Sequence, residues 1–116
     1  CGDYGCGGVK AAMGNHDFKQ ILNMWLRHIK DVFHLHRKEL DSIDDENKKF
    51  DRLVELNVQE QVLHLAKTSI IQRAWKHEQR PQIHGWVYGL NDGIIKQVCE
   101  LDPTSEIEDL YKYDDI

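Results

Sequence analysis

Apolar residues at Phe18, Ile21, Leu22, Trp25, Leu26, Ile29, Val32 and Phe33 recur three and four positions apart, which is the signature of one face of an α-helix. The pattern predicts a helix from about residue 18 to residues 36–40, with cap chemistry from Asn15-His16-Asp17. Ser42 to Asn47 is a polar break. A second helical pattern follows through Phe50, Leu53, Val54 and Leu56. Asn57 is able to cap a restart that Val58, Val62 and Leu65 continue. Ser69 with Gln72 three residues on resembles a capping box, opening a short helix through Ile71, Ala74 and Trp75 that Arg80-Pro81 stops.

The period then changes. Ile83-His84-Gly85-Trp86-Val87-Tyr88 alternates and is rich in strand formers. Asn91-Asp92-Gly93 is a strong turn, and Ile94 to Cys99 reads as the returning strand. One hairpin is a poor sheet by itself, so its apolar faces are expected to need further strands from elsewhere. At the other end, Cys1 reads as the end of a strand. Glycines at 2, 5, 7 and 8 allow a tight turn, and Val9 to Met13 suit a short helix ended by Gly14.

Composition narrows the function classes. The 116 residues, 41% of them hydrophobic, suffice for one modest core. No apolar run approaches the roughly 20 residues of a membrane span. Residues 100–116 carry Glu100, Asp102, Glu106, Glu108, Asp109, Asp114 and Asp115 against Lys112, a charge of -6, leaving residues 1–99 at +1. A near-neutral body without a basic stripe argues against nucleic acid as a partner. The acidic end, 100–116, reads as a solvated tail in which Ile107, Leu110 and Tyr111 are able to dock weakly as a helical turn. The three cysteines are an odd number. Free thiols or metal binding in a reducing compartment fit them better than a disulfide framework. The chain starts inside a dense motif without an initiating Met, which reads as part of a longer protein.

Candidate chemistry lies in the first residues. Asp3 and Cys6 put a carboxylate and a thiol, separated by two residues, in a glycine-rich turn, able to point at one ion. Zinc wants four ligands, so on these residues alone a metal site and a structural turn with a buried thiol stand equally. The glycines break the dinucleotide fingerprint, because Lys10 stands where glycine is required. His28, His34 and His36 read as surface residues, and His84 as a packed or hydrogen-bonded one.

Cys1-Gly2-Asp3-Tyr4-Gly5-Cys6-Gly7-Gly8-Val9-Lys10-Ala11-Ala12 resembles the zinc loop of the β-class carbonic anhydrases. The likeness continues in order through Trp25-Leu26-Arg27-His28-Ile29-Lys30-Asp31, Leu53 to Val62, Lys67 to Ile70, Ala74-Trp75 and His84 to Gly93. The resemblance implies an α/β fold with a mainly parallel sheet flanked by helices, here an incomplete unit of several helices and a C-terminal hairpin. Residues 1–99 would be the C-terminal part of that domain and 100–116 the acidic tail. It implies zinc-dependent, reversible hydration of carbon dioxide to bicarbonate, assembly as a homodimer or higher homo-oligomer, and a cytoplasmic location, with organelle stroma or matrix as the alternative. Cys6 falls on the family's cysteine ligand, Asp3 stands where the ligand histidine belongs, and Tyr88 matches a tyrosine of a bicarbonate pocket in some bacterial members. The family's upstream Cys-x-Asp-x-Arg motif is absent from these residues. The expectation is therefore an impaired activity, none of it appreciable in these residues alone. The alternative is a catalytically inactive subunit kept for oligomerisation.

Overall fold

The computed structural model describes residues 1–116. Strand β1 (Gly2–Asp3) leads into helix α1 (Gly7–Ala12). Helices α2 (Gln20–Leu35), α3 (Arg37–Asp41), α4 (Glu46–Ala66) and α5 (Ser69–Glu78) follow. Strands β2 (Ile83–Tyr88) and β3 (Ile95–Leu101) form the hairpin, and a 3-10 turn spans Asp109–Tyr111. The sheet order is β1-β2-β3, with β2 parallel to β1 and antiparallel to β3. The fold is α/β, and the sheet is mixed.

The helical face read along residues 18–33 divides in two. Leu26, Ile29 and Val32 are buried on α2, whereas Ile21 (87% exposed) and Trp25 (58%) lie largely open. Phe18 lies before the helix, and Lys19 at the cap position has φ +75 and no side-chain bond. Asp17 instead closes a local turn, accepting from the Lys19 amide and the Asn23 side chain. The long pattern also breaks at His36, whose non-helical backbone separates α2 from α3.

Two other expectations differ in detail. α4 runs unbroken past Asn57, because Leu53, Val54, Leu56, Val58 and Val62 form a continuous buried face that outweighs a local cap. Asp45 starts that helix, its carboxylate accepting from the Asn47 and Lys48 amides at 2.8 and 3.2 Å. The cap of α5 is Thr68 rather than Ser69, with its hydroxyl accepting from the Ile71 amide. Gln72 is thereby free for a different task. Its Nε2 donates to the carbonyls of Ala66 and Tyr111, and its Oε1 accepts from the Tyr113 amide.

α4 is the spine of the molecule. It packs against all three strands as well as α1, α2, α3 and α5. Leu40, Leu53, Leu56, Val54 and Val87 are the most deeply enclosed side chains of the main core. Each contributes on the order of 1.5–3 kcal/mol by leaving water. Along β2 burial alternates strictly. Ile83, Gly85 and Val87 face inward, while His84, Trp86 and Tyr88 form an open face. Gly85 is dictated by close approach: a Cβ there would lie 2.4 Å from Cys99 Sγ and 3.1 Å from Val58 and Val62. The register slips beside it, between Gly85–Cys99 and Trp86–Gln97, as a β-bulge does. β3 continues through Glu100 and Leu101, and the segment after it folds back along α5. There Ile107 joins a second small core of Val62, Ala66, Trp75 and Ile83.

Candidate functional site: the Cys6 turn

The turn between β1 and α1 is held mainly by backbone. β1 pairs Gly2 with Val87 and Asp3 with Tyr88, and the Tyr4 amide extends the pairing by donating to Tyr88 O at 3.0 Å. Gly5 then reverses the chain at φ +80, a conformation that glycine adopts without strain. Cys6 occupies the cap position of α1, where its carbonyl accepts from the Lys10 amide at 3.1 Å. Its side chain makes no cap bond. The thiol is half-buried against the main core and is uncommitted. Above it, the Trp25 ring crosses Gly8: a Cβ on Gly8 would meet Trp25 Cζ3 at 3.2 Å and Cys6 Sγ at 3.8 Å.

Asp3 and Tyr88 are brought together. They are register partners in parallel strands, so their side chains share one face, the open one that carries Trp86 and His84. His84 and Trp86 both reach Gln97 Oε1, at 3.0 and 3.3 Å, which bears out the hydrogen-bonded reading of His84. All three cysteines are free thiols. Cys1 is exposed, with its Sγ 3.4 Å from Gly2 O.

Beside the turn lies a charged network that the sequence did not disclose. The Tyr4 hydroxyl donates to Glu55 Oε2 at 2.5 Å. Glu55 also accepts from Arg52 Nη1 at 3.2 Å and Lys96 Nζ at 3.3 Å, and Arg52 Nε donates to Glu39 Oε1 at 2.7 Å. Burial works to push the Glu55 carboxyl up. The hydrogen bonds from Tyr4, Arg52 and Lys96 outweigh it and hold Glu55 below its ordinary value. Burial first, then the Glu55 hydrogen bond and charge, push the Tyr4 phenol well above its ordinary value. Only the Arg52–Glu55 spacing of three was visible in the sequence; Tyr4 and Glu55 stand 51 residues apart. His36, read as a surface residue, is half-buried with its Nε2 3.0 Å from Glu60 Oε1.

As a metal site the turn is partial. Asp3 and Cys6 are suitable zinc donors by type, but a zinc ion takes four ligands. No group of three or more His, Cys, Asp or Glu residues in the chain is placed to hold a metal. The residues present do not by themselves fit a zinc ion.

The family model described as carbonic anhydrase matches residues 1–95. A carbonic anhydrase of Emericella nidulans is 49% identical over 98 residues, which cover 84% of this chain and 42% of that protein. Among solved structures, a tetrameric β-carbonic anhydrase of Sordaria macrospora superposes with a TM-score of 0.79 at 31% identity, covering 87% of this chain and 51% of the other. The Coccomyxa β-carbonic anhydrase in complex with acetazolamide gives 0.78 at 30% identity, covering 87% and 46%. The chain spans about half the length of these relatives.

Proposed function

The chain belongs to the β-carbonic anhydrase family, and on that premise we propose that it is the part of a carbon dioxide-hydrating unit that carries the zinc loop. One observation carries the reading: the β1–α1 turn presents an uncommitted Cys6 thiol inside the stretch that matches the family. A zinc ion supplies such a unit with a bound water acidic enough to form hydroxide near neutral pH. This chain offers Cys6 and, at the histidine position, Asp3; the remaining donors come from outside residues 1–116. Tyr88, next to Asp3 on the open face, is the place for a bicarbonate contact. The free thiols suit a reducing compartment such as the cytoplasm.

Asp3 impairs the activity in this reading. Its side chain is shorter than histidine and adds a negative charge, which makes a metal-bound water less acidic. A second reading is favoured by the missing third donor and by the exposed Ile21, Met24, Trp25 and Trp86. In it, the chain is an inactive subunit retained for assembly with further copies.

Fusing the N-terminal part of the Emericella nidulans relative to this chain separates the two. Stopped-flow carbon dioxide hydration is compared for the Asp3 form and Asp3→His. Activity in the histidine form, at least about tenfold above the Asp3 form, is the expected outcome. No hydration in either form defeats the enzyme reading and favours the assembly subunit. Equal activity in both removes Asp3 as the cause of impairment.

A further inference from the structure

We infer that Glu55 is the positioning residue of the Cys6 turn: fixed on α4, its carboxylate holds the turn through Tyr4 and so sets where the Cys6 thiol stands. Tyr4 lies between the two candidate donors, one residue after Asp3 and two before Cys6. It is anchored at both ends. Its amide donates to Tyr88 O on β2 at 3.0 Å, and its phenol donates to Glu55 Oε2 on α4 at 2.5 Å. Beyond it the restraints on the turn are at Cys6, which packs against the main core and whose carbonyl accepts from the Lys10 amide. Gly5 is exposed, and a Cβ there would meet nothing within 4 Å. Cys6 makes no side-chain cap bond.

Glu55 is suited to the anchoring role because it is itself held. Its side chain is 14% exposed, in the middle of the longest helix. Arg52 on the same helix takes one carboxylate oxygen, and Lys96 on β3 shares the other with Tyr4. Arg52 is braced in turn by Glu39 on α3. Exposed ion pairs of this kind contribute little one at a time. Here they converge on one half-buried carboxylate from three elements, so displacing Glu55 would break several contacts together. A charge-assisted bond from a phenol to such a carboxylate is stronger than a neutral one. Through Gly5 only, that restraint reaches Cys6. The geometry is independent of the carbonic anhydrase reading, which enters only in making the held thiol a ligand.

The test reads the thiol rather than the metal. The rate of Cys6 alkylation by iodoacetamide is followed by peptide mass spectrometry in the Cys1→Ser chain, with half-buried Cys99 as internal reference. Glu55→Ala and Tyr4→Phe should each raise the Cys6 rate about tenfold. The double variant should go no further than the larger single one, because both remove one bond. Glu55→Gln keeps an acceptor for the phenol and should stay within about threefold of the parent. Cys99 should not change in any of them. An unchanged Cys6 rate in both single variants overturns the inference. So does an additive double variant, a Glu55→Gln rate equal to that of Glu55→Ala, or a matching rise at Cys99, which would mean general loosening. Zinc plays no part in the readout, so a failure here leaves the zinc reading standing, and a failure to bind zinc leaves this result standing.

Discussion

At the scale of single residues, the chemistry of the chain is divided between what local sequence reveals and what only the fold assembles. The turn that places Asp3 and Cys6 was legible because its glycines are adjacent in sequence. Glu55 was not, because its value lies in Tyr4 and Lys96, brought to it from 51 and 41 residues away. His36 looks like a surface residue in the sequence for a related reason: its partner Glu60 sits on another helix, 24 residues on. Glu55 carries a pH prediction. Its carboxyl is held below the ordinary value of 4.5 in the folded state, so below that pH the unfolded chain binds the proton more readily than the folded one. Its stabilising contribution is whole above 4.5 and is lost as pH falls through the lowered value. Denaturation followed from about pH 5 to about pH 3 should show a shallower loss of stability in Glu55→Gln than in the parent. Identical slopes would count against a charged Glu55 as the centre of the network.

At the scale of elements, hydrophobic periodicity located the helices and the hairpin well, because burial of one face is what selects them. Capping is less legible in the sequence. Ser69 and Thr68 offer equivalent hydroxyls to the same helix start, and only the backbone decides between them: extended Thr68 becomes the cap. That choice frees Gln72 to hold the returning C-terminal segment through Tyr111 and Tyr113, with Lys67 lying 4.1 Å from the centre of the Tyr111 ring. Gln72→Ala should therefore speed amide hydrogen exchange in residues 107–116 while leaving α4 protected; equal protection in both forms would show that Ile107 and Lys67 hold the segment without it. At the other end of the hairpin, Gly85→Ala forces a methyl group against Cys99, Val58 and Val62. The strand must lift from α4, at a cost of about 1–3 kcal/mol in chemical denaturation. A loss below about 0.5 kcal/mol would mean that β2 is not packed as closely as described.

At the scale of the whole molecule, one sheet face and parts of α2 have no partner within the chain. The sheet has two open edges, and β1 contributes only two residues. Ile21, Leu22 and Trp25 belong to an apolar stripe of which Leu26, Ile29 and Val32 are buried. The sequence could not show this division, since periodicity marks a face as apolar without saying what covers it. No helix is long and apolar enough to cross a membrane. Burying these surfaces between copies would remove apolar area from water, so light scattering at rising concentration should give masses above the 13.6 kDa of one chain. A well-folded chain that stays strictly monomeric would contradict assembly through these faces.

In the proposed function the Cys6 turn is a zinc loop, left with an incomplete donor set in this chain. Zinc stoichiometry by inductively coupled plasma mass spectrometry tests it most directly, on the chain alone and on the fusion carrying the relative's N-terminal part. The chain alone should hold zinc well below one ion per molecule, since two donors bind weakly. The fusion should approach one ion, more tightly with Asp3→His, and lose it with Cys6→Ser. Zinc retained undiminished after Cys6→Ser would contradict Cys6 as a zinc ligand.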